Sequence, residues 1–167
     1  MRYLSLAPLL AGALAVASAQ TPDAASRGEK LFFEGVNGVA CGNCHSLGEK
    51  GKAIAPDLKP ISRVSPKGLV LAINASRTQY VRDIELKSGK HIQVLPISGS
   101  DYWVLSTSPI LKQTITKPEI ERIQDNAKWK HPPESTNLTK DQLADLISYI
   151  RFAGHGDTKG VTAAEIP

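Results

Sequence analysis

Methionine occurs once in the 167-residue chain, at Met1, and cysteine twice, at Cys41 and Cys44. No thioether side chain exists beyond the first residue, and a scaffold held by several disulfides is excluded. Aromatic residues make up only 5% of the sequence, thin for a core that must fill itself. One long apolar run is present, residues 4–17 interrupted by Ser5, Pro8 and Gly12, and at about 14 residues it falls short of the roughly 20 that span a bilayer. No block of like charge occurs. With 20 basic and 16 acidic residues and ordinary Gly and Pro content, the composition argues against disorder or a fibrous repeat and fits one modest domain.

What is present begins with an export signal. The cationic start Met1-Arg2, the apolar run and the small-x-small triplet Ala17-Ser18-Ala19 place cleavage before Gln20. Removing residues 1–19 from 167 leaves 148, and the loss of Arg2 leaves 19 basic against 16 acidic side chains. The expected location is outside the cytoplasm, in a bacterial periplasm, with no stable membrane span in the mature chain.

Both cysteines fall in Cys41-Gly42-Asn43-Cys44-His45. A disulfide closing so short a loop removes little chain entropy. A closed zinc site needs four ligands, and this cluster offers three at most. A thioredoxin-like dithiol, in which Cys41 and Cys44 would be the redox pair, needs a buried strand leading into it; residues 34–40 read instead as a glycine-punctuated loop with no βαβ pattern around them. Covalent haem attachment uses every element: two thiols three positions apart add to the two vinyl groups of one porphyrin, and the next residue presents an imidazole to the iron. Export agrees with it.

The stretches Gly28-Glu29-Lys30-Leu31-Phe32, Cys41 to His45, and Ala55-Pro56-Asp57-Leu58 resemble the class I cytochrome c domain. The resemblance implies one covalent haem c, with His45 as an axial ligand whose second ring nitrogen is held by the Pro56 carbonyl. Residues 138–152, opening with the capping box Thr139-Lys140-Asp141-Gln142, resemble the terminal helix of that family. Its apolar residues Leu143, Leu146, Ile147 and Ile150 recur at helical spacing.

Between these landmarks, Ser65-Pro66 opens a helix to about Ala75. The period then changes to two. Residues 80–86, the turn Ser88-Gly89, residues 91–95, 102–105 and 110–115 predict short antiparallel strands. This pattern, with Ala75-Ser76-Arg77-Thr78-Gln79-Tyr80 and Gly89-Lys90, resembles the planctomycete-type haem-binding variant of cytochrome c. The expected fold is mainly α: a helical haem domain over residues 20–153, a β insertion at about 79–117, and a flexible tail over 154–167.

Class I cytochromes c usually take the sixth ligand from a Met-Pro pair shortly before the last helix. His131-Pro132-Pro133 stands at that position here. The expected metal ligands are therefore His45 and His131, with His91, His155, a lysine or an open position as the alternatives. A second imidazole in place of a thioether favours ferric iron and lowers the reduction potential. The reading is an electron carrier and not an enzyme, docking transiently with redox partner proteins. If His131 were not coordinated, a gas sensor or a peroxidase would be the alternatives.

Between Glu49 and Lys90, basic residues outnumber acidic ones nine to four. That bias suits an acidic partner, haem propionates or a solvated face equally. It is dispersed, without a run, and does not predict nucleic-acid binding. Trp103 and Trp129 read as packing residues, with haem lining or partner anchoring as the alternatives.

Overall fold

The computed structural model describes residues 23–36, 38–74, 80–107 and 109–167. The expected export signal, residues 75–78 of the insertion's leading stretch and Gln79 lie outside them. Four helices are present: α1 (Asp23–Glu34), α2 (Pro66–Asn74), α3 (Pro133–Thr136) and α4 (Lys140–His155). A small antiparallel pair, β1 (Ser46–Leu47) and β2 (Lys50–Gly51), follows the cysteine motif. The remaining strands are β3 (Arg82–Leu86), β4 (His91–Ser98), β5 (Asp101–Val104), β6 (Leu111–Thr114) and β7 (Ile120–Asp125), in one antiparallel sheet ordered β6-β5-β4-β3-β7. Helix accounts for 36% and strand for 25%, so the expectation of a mainly α fold is wrong and the chain is an α+β protein.

The strand content comes from the whole five-stranded sheet, of which β7 is the strand that the sequence pattern did not predict. Ile120-Glu121-Arg122-Ile123-Gln124-Asp125 lacks period-two alternation, because as an edge strand it is exposed along almost its whole length. Its charged side chains leave that edge a poor template for further pairing. The sheet therefore ends at Asp125, beyond the insertion boundary expected near residue 117.

α1 and α4 cross at Gly28. A Cβ there would collide with the Asp145 backbone and Tyr149 Cβ, so glycine is what lets the two helix backbones approach. Phe32 packs against Tyr149 with ring centres 5.5 Å apart and planes tilted by 54°, in a cluster with Leu47, Leu146 and Ile150. Arg27 clamps the crossing from outside with two 2.7 Å hydrogen bonds to Asp145. α4 starts where its capping box predicts: Thr139 Oγ1 accepts the Gln142 N–H at 3.2 Å, and Gln142 Oε1 accepts the Thr139 N–H at 2.9 Å.

The sheet has its own core. Ile84 pairs with Ile92, and Val94 with Val104, to form one apolar face with Tyr102 and Ile115. β6 and β7 lie on opposite edges, yet only residues 115–119 join them. A flat five-stranded sheet measures roughly 19 Å from edge to edge, further than five residues containing a 3₁₀ turn reach comfortably. The sheet must curl around that face, with Ile115 and Ile120 closing it.

The segment after α4 is not loose. Gly156 ends the helix at φ 78°, and the chain turns back so that Val161 and Ile166 are buried against Leu143, Ala144 and Ile147. Ser148 Oγ accepts the Val161 N–H at 2.8 Å, and Lys140 Nζ donates to the Ile166 carbonyl at 3.2 Å. The flexible tail expected for 154–167 is replaced by packed chain.

Candidate haem-binding site

Cys41–Asn43 form a single 3₁₀ turn, tighter than the helical turn that the cysteine spacing suggests, with the His45 N–H bonded to the Cys41 carbonyl at 2.8 Å. Gly42 is buried against the rings of Phe32 and Phe33, which a side chain there would have to displace. The loop beyond is knitted to the motif. The Cys44 carbonyl accepts the N–H groups of Ile54 and Ala55 at 3.0 and 2.8 Å, and the Ser46 carbonyl accepts that of Leu58 at 2.9 Å. Asp57 accepts from the N–H groups of Gly48 and Lys59 at 3.0 and 3.1 Å, contacts that hold its carboxyl below the usual range.

This bracing sets the Pro56 carbonyl 2.7 Å from His45 Nδ1. A carbonyl only accepts, so Nδ1 carries the hydrogen and Nε2 keeps its lone pair free for a metal. Burial lowers the His45 pKa, with the Pro56 contact acting against it, which keeps the imidazole neutral as a ligand must be.

His131 reaches the same place from the other end of the chain. Its ring centre lies 6.0 Å from that of His45, with the planes 38° apart. Burial lowers its pKa as well, reinforced by the proximity of His45 and opposed by the Ile73 backbone. Its Nδ1 is buried without a hydrogen-bond partner, a cost that a native fold rarely leaves standing without a use. The other two histidines sit elsewhere. His91 is exposed on β4, 3.9 Å from Glu85, and His155 ends α4 with Nδ1 3.2 Å from Ser62 Oγ.

The residues fit a haem better than a bare ion. Two imidazoles bound at roughly 2.0–2.1 Å on opposite sides of one metal have ring centres roughly 6 Å apart, once the radius of each ring is added. Among the described residues no group of three or more His, Cys, Asp or Glu side chains is placed to hold a metal. Two axial imidazoles suffice only where the other four donors come from the cofactor, as from a porphyrin. Both thiols stand in the same region, and burial pushes the pKa of each upward, against the pull of Lys52 in the case of Cys44. A dithiol built for exchange needs the opposite shift.

Two further features adjoin this site. Trp129 meets His131 edge-to-face with ring centres 5.1 Å apart, so its packing is against the ligand candidate itself. A cavity of about 400 Å³ lies where the Pro56 loop faces the sheet, lined by Ala55, Pro56, Tyr80, Arg82, Leu95 and Pro96. It brings the β insertion beside the carbonyl that orients His45. No family model matches the chain, and no curated protein matches it.

Proposed function

We propose that the chain is an exported monohaem c-type cytochrome that carries electrons, with Cys41 and Cys44 as the points of covalent attachment and His45 and His131 as axial ligands. The observation that carries the reading is the pairing of two neutral, half-buried imidazoles at 6.0 Å, one of them immediately after a Cys-x-x-Cys turn and oriented by a backbone carbonyl. Bound there, the haem supplies a one-electron couple.

The protein's part is to hold the two rings. Pro56 fixes the tautomer and direction of His45, and a hydrogen bond to Nδ1 makes Nε2 a better donor. His131, in the position where a methionine would raise the potential, stabilises the ferric state. If His45 and His131 both held the haem iron, no exogenous ligand would be needed there, and brief approach of a partner over a small interface would suffice for electron exchange. Lys59, Arg63 and Lys67 are exposed and no acidic residue occurs between Asp57 and Asp83, which favours an acidic partner surface. Among the described residues no helix is long and apolar enough to cross a membrane.

The raised thiol pKa values weigh against thiol–disulfide exchange. The test is production in cells that attach haem outside the cytoplasm, followed by acid–acetone extraction. The reading expects the Soret band to stay with the polypeptide and to be lost in Cys41→Ser/Cys44→Ser. A colourless protein with a titratable dithiol would favour the exchange enzyme.

A further inference from the structure

The last strand of the sheet runs directly into the loop that carries His131, and one side chain fastens the junction. Asn126, the residue after β7, donates its backbone N–H to the Val81 carbonyl at 2.9 Å and its Nδ2 to Asp83 Oδ1 at 3.0 Å. Its own Oδ1 accepts the Lys128 N–H at 3.1 Å, and its carbonyl accepts the Trp129 N–H at 3.2 Å. Every polar group of Asn126 is therefore used to shape the turn that presents Trp129, whose ring then lies against His131. On the far side, Pro132 and Pro133 restrict the chain before α3. Asp83 belongs to β3, the strand next to β7, so the turn is pinned to the sheet and not to the cysteine turn and loop that carry His45.

We propose that Asp83 and Asn126 are positioning residues for His131: the curled sheet, acting through them and through Trp129, holds the imidazole toward His45. The inference rests on the bis-histidine reading above. A ligand loop held in a fixed turn loses little freedom when its ring binds, whereas a loosened one competes less well for the axial position. The insertion then acts as the anchor of the sixth ligand.

The experiment compares haem-loaded wild type with Asn126→Asp, Asp83→Ala, Asp83→Asn and the exchange pair Asp83→Asn/Asn126→Asp. Asn126→Asp sets two carboxylates against each other, and the exchange pair reverses donor and acceptor so that the hydrogen bond returns. The readouts are the ferric absorption spectrum and the rate of CO binding to the ferrous protein, which requires His131 to leave. Asn126→Asp and Asp83→Ala are expected to speed CO binding roughly 5–10-fold, the size of one lost side-chain hydrogen bond. Asp83→Asn keeps the acceptor and is expected to be silent, and the exchange pair is expected to return to within about twofold of wild type. Should Asn126→Asp not fold, Asp83→Ala carries the comparison. Wild-type protein that is not six-coordinate and low-spin defeats the bis-histidine reading itself. Low-spin wild type with unchanged CO kinetics in Asn126→Asp and Asp83→Ala, whatever their melting temperatures, overturns the positioning role alone, as does an exchange pair that fails to restore them.

Discussion

The imidazoles of His45 and His131, 86 positions apart in sequence, face one another with ring centres 6.0 Å apart. One is oriented by the Pro56 carbonyl; the other keeps a buried nitrogen without a partner. Two neutral rings in that relation suit the proposed pair of haem ligands, and the cysteine turn beside His45 would supply the covalent anchor.

Replacing His131 by alanine opens one axial position. The ferric absorption spectrum is expected to change from low-spin to high-spin, and the ferrous form to bind CO without delay. Loss of a strong donor destabilises ferric iron, so the midpoint potential is expected to rise, on the order of 0.1 V within the roughly 0.8 V that axial ligands span. Unchanged spectra in His131→Ala would assign the sixth position to another group.

Tyr149 predicts an alkaline limb to stability. Burial, followed by the Glu29 charge and the hydrogen bond to it, pushes the Tyr149 pKa up from 10.0 to about 12. Below pH 10 the phenol is neutral in folded and unfolded chains alike. Between pH 10 and about 12 the unfolded chain ionises first, so stability is expected to fall by up to roughly 1.4 kcal/mol per pH unit. Urea unfolding at successive pH values should show this slope in wild type and a flatter one in Tyr149→Phe.

The sheet's separate core predicts a separable loss. Ile84→Ala removes a residue that is 1% exposed and central to the cluster with Ile92, Val94 and Val104. It is expected to cost about 2–5 kcal/mol, as large-to-small core changes do. The loss should appear in the sheet's hydrogen-exchange protection, while amides of α1 and α4 keep theirs.

Much of the helical part was legible because its signals are local. The Thr139 capping box, Pro66 at the start of α2 and the Cys-x-x-Cys-His turn each depend on residues within one turn of chain. β7 was missed because its two isoleucines stand three apart and its strand character comes from pairing with β3, a contact made across nearly forty residues. The packed tail was missed for a similar reason: Val161 and Ile166 are isolated apolar residues among Gly, Thr and Ala, and only the groove beside α4 gives them a partner. Asn126 carried no pattern at all, and Trp129 read only as a packing residue with haem lining or partner anchoring as alternatives, since the role of each depends on where β7 ends.

That tail supplies a further check. Ending the chain after Gly156 removes Val161 and Ile166 from the cluster with Leu143, Ala144 and Ile147. Burial of the two side chains is worth about 1.5–3 kcal/mol each, so several kcal/mol of stability should be lost. A truncated protein that melts with wild type would show that the segment packs without contributing.

The measurement that bears most directly on the proposed bis-histidine ligation is the low-temperature EPR spectrum of the oxidised, haem-loaded protein. The account predicts a purely low-spin ferric signal of the kind given by two axial imidazoles, lost in favour of a high-spin signal in His131→Ala. A high-spin ferric signal from the wild-type protein would contradict it.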